Sequence, residues 1–326
     1  MNLCHGNMPP AATIRMLISF VTVLVFLSLA GWLAARILPP ETRGGQAVRR
    51  LLRRVRGFWG VGLVFGVAMF TGNLGSLLVF AASSFLLLRE LVTITPTRRA
   101  DHRTLFWAFF VILPLQYAVL SIDWYGLFVV LIPVYAFLFI PIRIAAAQDS
   151  ERFLERAAKV QWALMIGVYC VSYAPALLRL PFPKEPGAGA RLLLFLCVVV
   201  QANDAVHELV DGLWGRHALV PGMDRERTIE GFVAGVAVGS GLGAILSGFT
   251  PMALWFAAAL AALVCMLGSG GQLCLSAIRR ERGRDGIVVT RGRDGMMGRV
   301  ISLCFAAPVF FHFVRFFVVG GPLGGF

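Results

Sequence analysis

The chain has 326 residues, of which 58% are hydrophobic and 14% charged, and carries a net charge of +13 at neutral pH; its mean hydropathy is +0.78. This is more apolar surface than a soluble core of that length can bury, so a water-soluble globular protein is excluded and an all-α, polytopic membrane protein is implied. The positive charge does not point to nucleic acid. Most basic residues stand in short segments between apolar runs, where they act as topology signals and attract anionic headgroups.

In chain order, Thr13 to Leu38 predicts a retained first span, too long and too plain for a signal-peptide core, ended by Pro39 and Pro40. Arg43, Arg49, Arg50, Arg53, Arg54 and Arg56 then face the single Glu41. That bias predicts a cytoplasmic loop or a surface-lying amphipathic segment, with the N-terminus outside. Phe58 to Phe70 and Leu77 to Leu91 are short for spans of about 20 residues, and the polar break Thr71-Gly72-Asn73 between them reads as a tight outside turn or a re-entrant tip. Leu105 to Leu120 and Tyr125 to Ile142 form a predicted hairpin, Trp162 to Leu178 crosses again, and Arg191 onward descends into the most unusual helix of the chain. Gly231 to Phe249 and Ala253 to Leu275 make another hairpin, and Val300 to Val319 is the last span. About nine to ten transmembrane helices result, and no convincing strand is seen. The organisation reads as N-terminal transmembrane helices over 1–190 and a catalytic membrane region over 191–326.

The stretch after Val200 carries the chemistry. Asp204, His207, Glu208 and Asp211 follow one another at i, i+3, i+4 and i+7, a spacing that places all four on one helical face. An ionisable group at membrane depth costs at least about 2.5 kcal/mol, so such a stripe faces protein, water or a cation. Gly231, Gly235, Gly239 and Gly243 repeat every four residues downstream and predict close helix approach rather than a nucleotide loop. A second polar cluster, Arg279 to Arg299, contains seven arginines. One helical hairpin joins it to the first, so both are expected at the same membrane face. Carboxylates there suit a hard divalent cation, and Arg216, Arg225, Arg227, Arg279, Arg280, Arg284 and Arg299 suit phosphates. The six cysteines lie mostly inside apolar runs without CxxC spacing and read as small core residues.

The segment from Asp204 through Gly231 resembles the signature of phosphatidate cytidylyltransferases, the CDP-diacylglycerol synthases. It pairs an Asp on a helix with Gly215-Arg216-His217, then Pro221, then Arg227-Thr228-Ile229-Glu230-Gly231 before a glycine-rich span. Ser276, Arg279, Arg280, Arg284, Asp285, Gly292, Gly295 and Arg299 follow the C-terminal signature in outline. The chain departs from that pattern where Gln272, Gly298 and Ile301 stand in place of acids and Arg293 in place of a histidine.

The resemblance implies transfer of a cytidylyl group from CTP to phosphatidic acid or a related lipid phosphate, giving CDP-diacylglycerol and pyrophosphate. It implies Mg2+, with room for a second cation, held by Asp204 and Asp285; Glu208 and Asp211, where the family usually carries small or aromatic residues, are added as ligands from their place on the Asp204 helix. Asp204, Asp285 and Arg227 are the implied catalytic residues. Arg216, His217, Thr228, Arg279, Arg280, Arg284 and Arg299 are the implied substrate-binding residues. The implied setting is the cell inner membrane with a cytoplasmic active site, membrane lipids as neighbours, and a homodimer as a possible assembly. Two further readings stay open. One is a catalytically altered relative that binds a lipid or partner, or acts on another lipid phosphate. The other is an intramembrane metalloprotease, since His207-Glu208-x-x-Asp211 stands one residue from a zinc-binding H-E-x-x-H helix.

Overall fold

The computed structural model describes residues 11–39, 41–94, 102–148, 151–182, 185–284 and 296–320. The chain is helical almost throughout. The helices are α1 (Ala11–Ile37), α2 (Arg43–Phe70), α3 (Gly72–Ile94), α4 (His102–Ser121), α5 (Tyr125–Ala145), α6 (Phe153–Leu178) and α7 (Ala188–Leu213). A short hairpin of β1 (Ala218–Val220) and β2 (Asp224–Thr228) follows, then α8 (Ile229–Leu246), α9 (Leu254–Arg284) and α10 (Met296–Phe313). Among the described residues, eight helices are long and apolar enough to cross a membrane, which agrees with a polytopic all-α architecture. The two other spans read from the sequence fall in α1, whose described apolar stretch is Leu24–Ile37, and in the apolar half of α2.

Two sequence expectations are corrected. Of the two readings of the arginine-rich stretch 43–56, the loop is overturned and the amphipathic segment is what forms, as the first half of α2, a single 28-residue helix. Arg, Leu and Val recur there with amphipathic spacing, and Arg and Leu are good helix formers that need no cap to continue. The turn after α2 is correspondingly short, since α3 begins at Gly72, whose φ of 71° only glycine adopts easily. Strands also exist. Ala218 pairs with Thr228 and Val220 with Asp224 in an antiparallel hairpin turned by Pro221-Gly222.

The helices sort into two compact units. One spans Thr71–Ala176. Its buried interior carries side-chain hydrogen bonds that satisfy groups lipid cannot: Tyr117 Oη donates to the Phe80 carbonyl at 3.0 Å and lies 2.7 Å from Ser84 Oγ. Gln116 Nε2 reaches both the Phe128 carbonyl (3.2 Å) and Ser172 Oγ (3.3 Å). π-helical turns occur at Ala108–Ile112, just before Pro114, and at Leu131–Ala136, around Pro133. They accommodate prolines that cannot donate to the helical ladder.

The second unit joins the described residues up to Phe70 with those from Leu177 onward. α1 packs on α2 through a cluster of Leu24, Val55 and Phe58. α7 lies at the centre, touching α2, α8, α9 and α10. Its face toward α8 approaches closely because that helix presents glycines: a Cβ at Gly235 would lie 2.6 Å from Asn203 Oδ1 of α7, while one at Gly239 would fall on Cys265 Sγ of α9, which packs on the same helix. Such small-residue contact supplies van der Waals packing where lipid provides no hydrophobic drive between helices. Cys197, Cys265 and Cys304 are buried in this unit, as is Cys170 in the other.

Candidate functional site

The polar half of α7 is buried, not solvated. Asn203, Asp204 and His207 are each at most 1% exposed, Glu208 is 9% exposed, and Gln201 is buried with them. The stripe does not converge on one point. Asp204 faces α2, α9 and α10, whereas Asn203, His207 and Asp211 face the glycines of α8 and the hairpin.

Around Asp204, every named partner is a donor. Its Oδ2 pairs with the Arg54 guanidinium of α2, accepts from Ser302 Oγ at 2.8 Å, and lies 3.4 Å from Gln272 Nε2. The same Gln272 amide donates to Ser302 Oγ (2.8 Å) and to the Gly298 carbonyl (3.3 Å), and Arg54 Nη1 also reaches that carbonyl at 3.4 Å. Arg54 is 8% exposed and Asp204 1%, so this is a buried ion pair. Removing one partner of such a pair costs about 3–5 kcal/mol because the other charge is stranded. Asp204 Oδ1, Asn203 Oδ1 and His207 Nε2 are buried with no hydrogen-bond partner among the described residues.

Seven residues beyond Asp204 toward the helix end, Asp211 anchors the hairpin. Its Oδ1 accepts from the Thr228 backbone N–H (3.0 Å) and from Thr228 Oγ1 (2.6 Å), while Oδ2 accepts from His207 Nδ1 at 2.8 Å. A carboxylate only accepts, so His207 carries its proton on Nδ1 here. Thr228 is also the N-cap of α8, accepting from Gly231 N–H at 3.1 Å. Gly231 has to be glycine, because a Cβ there would fall on Asp211 Oδ1 and lie 2.9 Å from His207 Nδ1.

The hairpin then meets the C-terminal end of α9. Ser276 Oγ donates to Asp224 Oδ2 at 2.6 Å, and Arg280 Nη1 reaches the Met223 carbonyl at 3.4 Å. Arg227, only 6% exposed, sets its Nε 4.0 Å from Asp224 Oδ2. On the exposed side, Glu230 accepts from His217 Nδ1 (2.6 Å) and from the backbone N–H groups of Arg216 and His217 (3.3 Å each). The hairpin and the end of α9 thus bring Arg216, His217, Arg227, Arg279 and Arg280 to one end of the helical unit.

Of the residues implied from sequence, Asp204, Glu208, Asp211, Arg216, His217, Arg227, Thr228, Arg279 and Arg280 are described and share this region. Asp285 lies outside the described residues, and of Arg284 and Arg299 only the helical backbone is described. Arg54, Asp224 and Ser302 are site residues that sequence reasoning did not assign, and Ser276, matched to the C-terminal signature without a role, holds Asp224. Arg54 offers no local signal, since its partner is 150 positions away.

A divalent cation does not fit at Asp204 or Asp211. Cations of the magnesium type need several converging oxygen ligands, whereas Asp204 Oδ2 and both oxygens of Asp211 already face N–H and O–H donors of the protein, and Asp204 Oδ1 alone is left without a hydrogen-bond partner among the described residues. Among the described residues, no group of three or more His, Cys, Asp or Glu side chains could hold a metal ion.

The fold and this region define a multi-pass membrane protein with a basic, hydrogen-bonded hairpin at the end of a helical unit. The sequence profile of the cytidylyltransferase family matches residues 52–317. The chain therefore belongs to that family. It is 30% identical over 303 residues to the uncharacterized protein YnbB of Escherichia coli (strain K12), covering 91% of this chain and 98% of that protein. It is also 28% identical over 124 residues to a phosphatidate cytidylyltransferase of Staphylococcus saprophyticus, covering 37% of this chain and 48% of that enzyme. A phosphatidate cytidylyltransferase of Staphylococcus epidermidis matches at 27% over 131 residues, 39% and 50% of the two chains. The match thus spans about half the length of these two enzymes.

Proposed function

We propose that this protein transfers a cytidylyl group from CTP to phosphatidic acid or a closely related lipid phosphate. A phosphate oxygen of the lipid attacks the α-phosphorus of CTP, the bond between the α-phosphorus and its bridging oxygen to the β-phosphorus breaks, and pyrophosphate leaves. CDP-diacylglycerol is the other product. Such chemistry asks little covalent help of a protein; it needs two polyanions positioned and the charge of an in-line transition state absorbed.

The observation that carries the proposal is the docking of the signature hairpin, through Asp224 and Met223, onto the Ser276 and Arg280 turn of α9. It gathers the basic residues of both sequence clusters beside a membrane-spanning unit, where a lipid phosphate and a nucleotide can be gripped together. Arg227, buried and fixed beside Asp224, is assigned to transition-state charge. Arg216, His217, Thr228, Arg279, Arg280, Arg284 and Arg299 are assigned to substrate phosphates. Asp285 is assigned to cation binding. Since Asp204 and Asp211 do not fit a metal, magnesium enters this proposal as the counter-ion of the triphosphate. The site faces the cytoplasm of the inner membrane, where CTP is found.

Reconstituted protein with CTP and a panel of lipid phosphates tests the reading. Magnesium-dependent formation of CDP-diacylglycerol supports it. A product with another lipid phosphate alone, or lipid binding without turnover, favours the second reading, an altered family member. That second reading draws on Gln272, Gly298 and Ile301, none of which supplies an acid.

A further inference from the structure

We infer that Arg54 is the resident cation of the Asp204 pocket, so that this carboxylate binds no divalent metal and instead clamps α2 against α7, α9 and α10. Three observations carry the inference. First, the charges close: one buried carboxylate meets one buried guanidinium, and the remaining groups, Ser302, Gln272 and the Gly298 carbonyl, are neutral. A metal ion on either oxygen of this carboxylate, the unpartnered Oδ1 included, would have to displace the guanidinium or sit beside it, and like charges at such range repel strongly in a poorly solvated interior.

Second, the polarity of the surrounding groups suits an anion. Gln272 could be imagined turned over, with its oxygen toward Asp204, but that oxygen would then oppose both Asp204 Oδ2 and the Gly298 carbonyl, two acceptors. The network therefore fixes the amide with its N–H groups inward. Third, the positions that could add anionic ligands from α9 and α10 hold Gln272, Gly298 and Ile301, and Ile301 is fully buried as an apolar side chain.

The consequence is mechanical as well as electrostatic. α2 lies far from α7 in sequence, and a planar guanidinium with several fixed donors ties the two helices where a single point charge would hold them less specifically. Asp204 is then a positioning residue for the polar end of α7, and any metal requirement of turnover arises elsewhere. The inference concerns the site of the proposed transferase but does not require that activity, because its readouts use neither CTP nor lipid substrate.

The test compares wild-type protein with the neutral double variant Arg54→Met/Asp204→Asn, in detergent and stripped of metal, by counting bound Mn2+ ions with electron paramagnetic resonance. Equal stoichiometry is expected; one more ion in the wild type overturns the inference. In parallel, thermal unfolding without metal is measured for each single variant and for the double. Each single variant is expected to melt lower than the double, since each strands one buried charge. Additive losses, with the double the least stable, would overturn the ion-pair role. If a single variant fails to fold while the double folds, that is the same coupling in its extreme form, and the Mn2+ comparison still decides the metal question.

Discussion

Asp211→Ala removes the acceptor for three donors at once: the Thr228 N–H, the Thr228 hydroxyl and His207 Nδ1. Hydrogen bonds to a charged group are each worth about 1.5–3 kcal/mol net, and a donor left buried adds a desolvation penalty of about 1–3 kcal/mol. The three share one carboxylate and are not additive, so the loss is set at about 3–5 kcal/mol, the range of severe core substitutions. Asp211→Asn is the discriminating control. Its remaining oxygen still receives both Thr228 bonds, and only the His207 bond is lost, which places its cost near 1–2 kcal/mol. Thermal or denaturant unfolding in detergent measures both. Turnover of CTP should fall in parallel, because the hairpin bearing Arg216, His217 and Arg227 loses its anchor; misplacing such groups by about 1 Å costs on the order of a hundredfold. If Asp211→Ala and Asp211→Asn were equally stable to within about half a kcal/mol, the three-donor account would be wrong.

Other outcomes follow from the same geometry. Gly235→Ala forces a Cβ to within 2.6 Å of Asn203 Oδ1 and should cost about 1–3 kcal/mol as an overpacked contact. Gly241→Ala, with open space at its Cβ, should leave unfolding unchanged or stabilise by up to about 1 kcal/mol. Arg227→Ala should abolish nucleotide turnover and Arg227→Lys should not restore it, because a point charge does not replace a planar fork. Product formation from labelled CTP checks both. Chelation of magnesium should stop turnover while leaving the melting midpoint of the protein where it was, since the described carboxylates Asp204 and Asp211 are held by protein donors.

Much of the architecture was legible because the membrane makes it so. Apolar runs near the length of a bilayer crossing announce spans, and the alternation of arginine-rich and near-neutral connections helps to segment them. The spacing of Asp204, His207, Glu208 and Asp211 foretold a buried polar stripe, and the four-residue glycine repeat foretold the close approach of α8.

What the sequence did not reveal depended on non-local partners. The arginines of 43–56 look like a loop when only their charge is weighed, yet Arg54 turns inward to Asp204 while Arg53 and Arg56 stay exposed. β2, with the sequence Asp224-Arg225-Glu226-Arg227-Thr228, has no strand pattern. It is held by pairing with β1, by Asp211 and by Ser276. The stripe also splits between two sets of neighbours, since Asp204 and Asp211 share a face but stand about 10 Å apart along the helix axis.

The central claim is tested most directly by the fate of the two ends of CTP's phosphate chain. Purified protein in vesicles containing phosphatidic acid is given CTP labelled with radioactive phosphorus at either the α or the γ position. The account predicts that the α label enters the lipid fraction as CDP-diacylglycerol and that the γ label leaves as pyrophosphate. Transfer of the γ label to lipid, or release of pyrophosphate with no α label in any lipid, would contradict it.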